Sequence, residues 1–293
     1  MSAGAGAIGR RHGPSAALRA ALLASSALIV AASLPAAAQD ATWKTAPPNN
    51  DFNDGTNWST GTAPIGNASF GASSRTTLNL SAATSLDTLT FNGGAPAYTI
   101  NTGNFNFFTL SGDGIVNNSS NAPTINSTLS ILTFDNSASA SNANINTIGG
   151  LTSFTGNSTA SNAVITTTSG GATQFVTNGD GGNAQFITNS GGTVDFSGTA
   201  GAGNDNKVHA GSIAGDATGT YFLGANQLIV GTNNLSTEVR GTINDGGGFG
   251  GTGGSLEKVG TGTLTLSNAN TYSGGTTISA GTVVLNQIGR AHV

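Results

Sequence analysis

Cysteine and charge are what this chain most clearly lacks. Its 293 residues include no cysteine, and only 8% of them are charged, whereas an average soluble domain carries roughly 25%. A small secreted module held together by disulfides is therefore excluded. The fold must be stabilised by a long core rather than by cross-links.

Aromatic residues and proline are also scarce, while glycine is abundant. Aromatic residues make up 6% of the chain, and 7 Pro stand against 45 Gly. Collagen is excluded, because glycine falls far short of every third residue and no triplet period occurs. Disorder usually accompanies high net charge, whereas here Leu, Ile, Val and Phe recur regularly among polar residues. The composition favours a repetitive β architecture.

Residues 1–38 have the pattern of a secretory signal peptide. Arg10, Arg11 and Arg19 form the basic segment, and residues 20–34 form an uncharged stretch rich in Ala and Leu. Small residues at 36–38 supply the cleavage site, so Gln39 would begin the mature chain. The alternative is a membrane anchor, but this apolar run is shorter than the span of about 20 residues that a bilayer requires.

The mature chain expected after this cleavage is acidic. Its six Lys and Arg residues stand against 13 Asp and Glu, which gives a net charge of −7. Nucleic-acid-binding surfaces require a basic patch. We therefore predict no nucleic-acid partner.

The middle of the chain repeats itself every 20–21 residues. Three residue types keep this period in phase, which indicates stacked structural repeats. They are Phe134, Phe154, Phe175 and Phe196, the Asn-Ala pairs that begin at Asn142, Asn162 and Asn183, and the Gly-Gly pairs that begin at Gly149, Gly170 and Gly191.

A period of this length with several short strands describes one coil of a parallel β-helix. The predicted fold class is all-β: a right-handed parallel β-helix of about 20–21 residues per coil, with no significant helix after the signal peptide. Stacking would place the Phe residues in an interior column, the Asn residues in a corner ladder, and the Gly pairs where φ is positive. About twelve coils would fit between residues 39 and 287.

The segments around this core complete the predicted organisation. Residues 39–76 contain both tryptophans, Trp43 and Trp58, and are predicted to cap the first coil, because solenoid ends need covering. Residues 77–255 are predicted to form the coils. Core packing is the preferred interpretation of the Phe column and of both tryptophans, with carbohydrate stacking as the alternative.

One segment near the end is more specific than the rest. Residues 256–278 read LEKVGTGTLTLSNANTYSGGTTI, in which TLTL alternates like a strand and the Gly-Gly pair marks a turn. The segment closely resembles the passenger-associated transport repeat of bacterial autotransporters, usually written around LxKxGxGTLTLSGxNTYxGGTTI. It departs at Asn268, where the family more often has Gly, and both residues tolerate positive φ. We assign 256–287 to this repeat.

The resemblance implies a surface-exposed or released β-helix that is exported through a C-terminal outer-membrane barrel. Residues 51–58 and 224–239 also look like autotransporter passenger sequence. Residues 288–293 break the repeat pattern, and we interpret them as a non-native tail. We therefore expect a gene model truncated before the barrel, with a native protein that continues beyond Gln287.

No residue pattern indicates a catalytic, cofactor-binding or metal site, and we predict none. Of the three histidines, His12 lies in the signal peptide and His292 in the tail, which leaves His209 alone, as a surface or loop residue. A zinc site would lack ligands without Cys or a second mature His. A Ser/His/Asp triad would need His209, but no Gly-x-Ser-x-Gly elbow occurs.

The carboxylates and the glycine-rich segments are likewise predicted to form no catalytic or metal site. Four Asp residues in the repeat region fall out of phase with its period, and most of them are predicted to be solvated turn residues: Asp180, Asp195, Asp205 and Asp216. Residues 201–205 partly resemble a calcium-binding nonapeptide, but that motif works only in tandem. The loop 246–254 lacks the following Lys-Ser/Thr and helix of a phosphate cradle.

The sequence thus predicts an exported, non-enzymatic autotransporter passenger fragment that acts as a surface-displayed stalk or adhesin-like protein. Its repeat would aid secretion and folding, and it would reach the cell surface, outer membrane or extracellular space through the periplasm. The expected partners are its own barrel and a host-surface, glycan or self-association partner. Two alternatives stay open: a β-helical enzyme acting on polysaccharide, and a self-associating aggregation adhesin.

Overall fold

The computed structural model describes residues 39–286. The predicted signal peptide (1–38) and the tail (288–293) lie outside these residues, and both stay predictions. The described part is β structure connected by turns, with a single 3₁₀ turn at Gly55–Asn57. The expectation of an all-β chain without significant helix is confirmed for this part.

The strands are short and follow one another closely along the chain. Their bounds are β1 Ala41–Thr42, β2 Asn67–Phe70, β3 Thr77–Asn79, β4 Thr84–Phe91, β5 Thr99–Asn101, β6 Phe107–Asn117, β7 Thr124–Thr128, β8 Ile131–Phe134, β9 Asn144–Ile148, β10 Leu151–Phe154, β11 Val164–Thr168, β12 Ala172–Thr177, β13 Gln185–Thr188, β14 Thr193–Thr199, β15 Lys207–Ala210, β16 Ser212–Gly215, β17 Thr220–Phe222, β18 Gln227–Val230, β19 Thr237–Val239, β20 Thr242–Asn244, β21 Ser255–Lys258, β22 Thr263–Leu266, β23 Thr276–Ile278 and β24 Thr282–Leu285.

The strands assemble into the three parallel sheets of a solenoid, two of which run along its described length. Sheet 1 contains ten strands in the order β1, β2, β4, β6, β8, β10, β12, β14, β17 and β20. Sheet 2 also contains ten, in the order β3, β5, β7, β9, β11, β13, β16, β19, β22 and β24. Sheet 3 begins later and contains β15, β18, β21 and β23. The chain is therefore a parallel β-solenoid, as predicted, and its right-handedness stays a prediction.

The coil length is most regular in the middle of the molecule. Leu151 of β10 lies between Ile131 and Ala172, at intervals of 20 and 21 residues. Several other coils are longer, since Ala41 pairs with Ala68 and Gln227 pairs with Ser255. The long sheets therefore hold ten strands rather than the twelve coils expected, because the extra residues form corner loops and a third strand instead of additional coils.

The predicted phenylalanine column is confirmed. Phe134, Phe154 and Phe175 are fully buried and stack ring on ring, with centroids 4.8 and 4.9 Å apart and interplanar angles of 6° and 7°. Phe196 continues the stack at 5.0 Å, although a bulge between β12 and β14 tilts its ring by 21°. Parallel in-register pairing causes this arrangement, because it places each residue over its counterpart one coil earlier.

A ladder of asparagine side chains runs along the outside of sheet 2. The Nδ2 of Asn101 donates to Asn79, that of Asn126 to Asn101, and that of Asn146 to Asn126, at 2.8–2.9 Å. The 20–21-residue period did not predict this ladder and pointed instead to one at Asn142, Asn162 and Asn183. There only Asn183 donates to Asn162, at 3.0 Å, while Asn142 accepts from Asn117 instead. The predicted corner ladder is therefore only partly correct.

The two glycines of each Gly-Gly pair serve different purposes. Gly149, Gly170 and Gly191 adopt the positive φ that was predicted, between 63° and 76°. The second glycine does not have positive φ. At Gly150 a Cβ atom would collide with the backbone of Ser130 in the preceding coil. The pair therefore combines a left-handed turn with a close approach between coils.

The tryptophans lie in an aromatic cluster at the β1 end of sheet 1. Trp43 and Trp58 are buried and meet edge to face at 5.1 Å, and Trp58 also contacts Phe52 at 4.9 Å and Phe70 at 5.7 Å. The indole N–H of Trp58 donates to the carbonyl of Phe52 at 2.7 Å. This cluster supports core packing for both tryptophans, as predicted.

Polar side chains inside the solenoid are mostly paired with one another. Thr147 and Thr152 join their hydroxyls at 2.6 Å, and Thr167 and Thr173 join theirs at 2.8 Å one coil later. The buried hydroxyl of Ser158 has no partner. Since an unpaired buried hydroxyl costs free energy, the interior contains one position that a smaller apolar residue would suit better.

Candidate functional site

Residues 255–285 form the end of the described solenoid, which we call the terminal coil: β21 and β22 belong to one coil, and β23 and β24 stack on them as the start of the next. Its strand β21 lies between β18 and β23 in sheet 3, and β22 lies between β19 and β24 in sheet 2. Alternate residues of the two strands point inward: Leu256 and Lys258 on β21, and Leu264 and Leu266 on β22. The period-two pattern therefore directs every second side chain of these two strands into the core of the solenoid.

Lys258 is the unusual member of this inward set. It is only 1% exposed, and its ammonium donates to the carbonyls of Val259 and Gly260 at the corner that follows β21. Burial lowers the pKa of Lys258. A Cβ atom at Gly231 or Gly281, in the coils on either side, would come within 2.9 Å of Nζ. Glycine at these corners makes room for the lysine.

Polar contacts join each corner of the terminal coil to the coil before it. Asn234 Oδ1 accepts from the backbone N–H of Thr261 at 2.8 Å. Glu238 accepts from the hydroxyl of Ser267 at 2.6 Å, and this hydrogen bond, assisted by Arg240, lowers the pKa of Glu238. These contacts fix the stacking register, because each joins residues one coil apart.

Asp245 makes the most extensive of these contacts. Its carboxylate accepts from the hydroxyl of Ser273 at 2.6 Å and from the backbone N–H groups of Gly253 and Gly254. Burial acts to raise the pKa of Asp245, but hydrogen bonds from Ser273, Gly253 and Gly254 outweigh it, and the pKa is lowered. The charged carboxylate therefore stabilises the corner between β20 and β23.

The terminal coil also presents an apolar edge. Ile278 of β23 and Leu285 of β24 are 54% and 45% exposed, and Val284 is 37% exposed. Within residues 39–286, β23 and β24 are the last strands of their sheets and each has one unpaired edge. Such an edge is a template on which a further parallel strand can pair.

Among the described residues, one ion pair includes a histidine, and it joins Asp180 to His209. His209 lies on β15 with its side chain partly exposed, and its Nδ1 is 3.3 Å from Asp180 Oδ2. The expectation of a solvated turn residue is wrong for Asp180, which is 8% exposed. Its carboxylate accepts the backbone N–H groups of His209 and Gly182, so protein donors replace water.

The other carboxylates have structural contacts. Asp195 is a half-buried residue of β14, and it accepts from the N–H of Gly248 at 2.7 Å, so it anchors the glycine-rich loop 246–254. Asp205 lies in an exposed bend, as predicted. Asp216 begins a turn, and hydrogen bonds from the Thr218 hydroxyl and the Ser190 N–H lower its pKa. The structure brings none of these four carboxylates together as a catalytic pair.

The described part of the chain contains neither a cluster of metal ligands nor a membrane-crossing helix. Between residues 39 and 286, no three His, Cys, Asp or Glu side chains form a group that could hold a metal ion. No helix in the same range has the length and apolar character needed to cross a membrane.

An apolar groove of about 380 Å³ lies on the corner between sheets 2 and 1. Phe105 and Phe107 form one wall and are 79% and 56% exposed, and Leu129 forms part of the next coil. Phe105 and Leu129 both adopt positive φ, at 60° and 48°, which is uncommon outside glycine. The lining contains no ionisable side chain, so it offers no acid–base chemistry.

One comparison with known proteins gives a match, and it falls on the terminal coil. Residues 256–285 match a family model described as the passenger-associated-transport-repeat. No curated protein and no solved structure matches the chain. The matched residues include almost all of β21 and the whole of β22, β23 and β24. The repeat and the parallel β-solenoid that carries it together fit a fragment of an autotransporter passenger.

Proposed function

We propose that this protein is exported to the cell surface or the extracellular space, where it acts as a rigid, non-enzymatic stalk of adhesin-like character. The observation that carries the proposal is the transport-repeat match on the terminal coil, whose strands continue sheets 2 and 3. The continuous core of stacked side chains supports a rigid rod, because each coil packs on its neighbours.

The terminal coil also has a proposed role in folding. Its inward residues extend the core, and its corners are joined to the preceding coil through Asn234, Glu238 and Asp245. Each coil that forms outside the membrane would present unpaired strand edges to the next coil, so that folding opposes backsliding of the chain. This mechanism requires that the strands of the terminal coil pair without interruption.

A proline at Thr265 tests both parts of the proposal. Thr265 lies in the middle of β22, which has neighbours on both sides, so its backbone N–H is part of a sheet ladder. Proline removes this donor and leaves a carbonyl unpaired, which costs about 1–3 kcal/mol. Ala217→Pro is the matched control, because Ala217 is exposed at the second position of a turn closed by Gly219 N–H and Asp216 O.

The measurement is the amount of protein on intact cells and in the medium when the gene is expressed in its own bacterium. We expect wild-type protein and Ala217→Pro to reach the outside and Thr265→Pro to be reduced severalfold. Wild-type protein confined to the cytoplasm would disprove export. Normal external levels of Thr265→Pro would leave export standing but contradict the folding role of the terminal coil.

A further inference from the structure

The sequence contains two Asn-Gly dipeptides, Asn92-Gly93 and Asn178-Gly179. Asparagine followed by glycine is prone to deamidate, because glycine has no side chain to shield its backbone nitrogen from the neighbouring side-chain amide. In an unfolded chain the two dipeptides would be equivalent in this respect. The fold places them in very different surroundings.

Asn92 lies at an exposed turn between β4 and β5. Its carbonyl accepts from the N–H of Ala95 at 2.9 Å, which makes Gly93 and Gly94 the central residues of a tight turn. Asn92, Gly93 and Gly94 are all exposed, and a Cβ atom built on Gly94 would have no neighbour within 4 Å. Neither the Asn92 side chain nor the Gly93 N–H makes a hydrogen bond to the described residues.

Asn178, by contrast, is held by hydrogen bonds to the preceding coil. Its side-chain Nδ2 donates to Asn157 Oδ1 at 3.1 Å, and its backbone N–H donates to Gly156 at 2.9 Å. The attacking group would be the N–H of Gly179, which donates to the carbonyl of Val176 at 3.0 Å. Gly179 is buried, and a Cβ atom there would collide with the backbone of Phe154.

We propose that Asn92 is a site of spontaneous deamidation in the folded protein and that the fold protects Asn178. The backbone nitrogen of Gly93 forms a bond to Cγ of Asn92, the Cγ–Nδ2 bond breaks, and Nδ2 leaves as ammonia with the proton that the Gly93 nitrogen gives up. Water then opens the resulting succinimide at either carbonyl. The products are aspartate and isoaspartate, and no oxidant or reductant is consumed.

The modification would change the surface without disrupting the core. It adds a negative charge to a turn with no Asp, Glu, Lys, Arg or His between residues 88 and 112. The isoaspartate product also lengthens the main chain by one atom at this position. Ala95 and Tyr98, which follow the turn, are fully buried and keep β5 in register. The inference is independent of the proposed function, since it concerns only the folded solenoid.

The test is mass spectrometry of the folded, purified chain during incubation at mildly alkaline pH, with the peptides around Asn92 and Asn178 quantified separately. Conversion at Asn178 requires that the Asn157 and Val176 hydrogen bonds open, so we expect it to be about thirtyfold slower than conversion at Asn92. The same incubation in denaturant is the control, and there the two rates should become similar.

Two variants make the comparison sharper. Gly93→Ala should slow conversion at Asn92 in the folded and the denatured chain alike, because a methyl group then shields the nitrogen. Asn157→Ala releases the side chain of Asn178 and should raise its conversion only in the folded chain. Equal rates at Asn92 and Asn178 in the folded protein, or no conversion at Asn92, would overturn the proposal.

Discussion

Replacing Phe154 by alanine removes a ring from the middle of the interior stack. The ring is fully buried and stacks on Phe134 at 4.8 Å and on Phe175 at 4.9 Å. Truncating a buried Phe to Ala typically costs 3–5 kcal/mol, and each aromatic pair contributes about 0.5–1.5 kcal/mol beyond area burial. Because Phe154 loses two such partners, we expect a loss of about 4–5 kcal/mol in the free energy of unfolding.

Urea unfolding followed by circular dichroism measures this loss. Two matched variants separate packing from hydrophobicity. Phe154→Leu keeps most of the volume but loses both stacked pairs, and should cost about 1–3 kcal/mol. Phe107→Ala removes a ring that is 56% exposed, and should change stability by less than about 0.5 kcal/mol.

The result that would refute the reasoning is a loss below about 2 kcal/mol for Phe154→Ala, within the range of ordinary substitutions. Such a result would mean that neighbouring coils collapse into the space that the ring leaves. Equal effects of Phe154→Ala and Phe107→Ala would contradict the interior position of the column altogether.

Three further substitutions probe polar groups inside the solenoid. Thr152→Val leaves the Thr147 hydroxyl unpaired and should cost about 1–3 kcal/mol in urea unfolding, whereas adding Thr147→Val should restore part of the loss. Ser158→Ala removes a hydroxyl without a partner and should raise the unfolding free energy by about 1 kcal/mol, and a decrease would show that the hydroxyl is bonded. Burial raises the pKa of Tyr221 above its ordinary range. The neutral phenol therefore contributes to the free energy of unfolding below about pH 10, and this contribution is lost as pH rises further. Tyr221→Phe should therefore show a smaller fall in urea midpoint than wild type between about pH 9 and pH 11, and parallel curves would argue against it.

The coil and its interior column could be predicted because their signal is repeated in the sequence. In a parallel solenoid each residue lies over the one a full period earlier, so Phe154 had to meet Phe134 and Phe175 once the period was known. The terminal repeat was recognisable for a related reason. Its alternating strand and Gly-Gly turn are contiguous, so no long-range contact was needed to identify them.

The asparagine ladder was missed because its spacing is irregular. Its members are separated by 22, 25 and 20 residues, so a search for one fixed period passes over them. A usable signal was present all the same. Asn79, Asn101, Asn126 and Asn146 each end a short Thr/Asn-x-Asn segment with Leu or Ile in the middle. The loops between coils vary in length, but the inward Leu or Ile keeps each strand in register.

The individual roles of the charged residues depended on neighbours far away in sequence. Asp180 was predicted to be solvated, but His209, 29 residues later, covers it and donates to it. Asp195 anchors the loop at Gly248, 53 residues away. Neither contact follows the coil period, so the sequence offered no pattern from which to infer it.

By itself the sequence determined the class of this protein. Its period and its polar, glycine-rich composition specify a stacked parallel solenoid, because stacking is the one way short coils of this kind can bury their inward side chains, and residues 256–285 match the passenger-associated-transport-repeat. Tertiary structure alone decided which polar groups are covered and which are open. Lys258 is buried because Gly231 and Gly281 leave room for it, and Asn92 is open while Asn178 is held, since these environments arise only where coils meet.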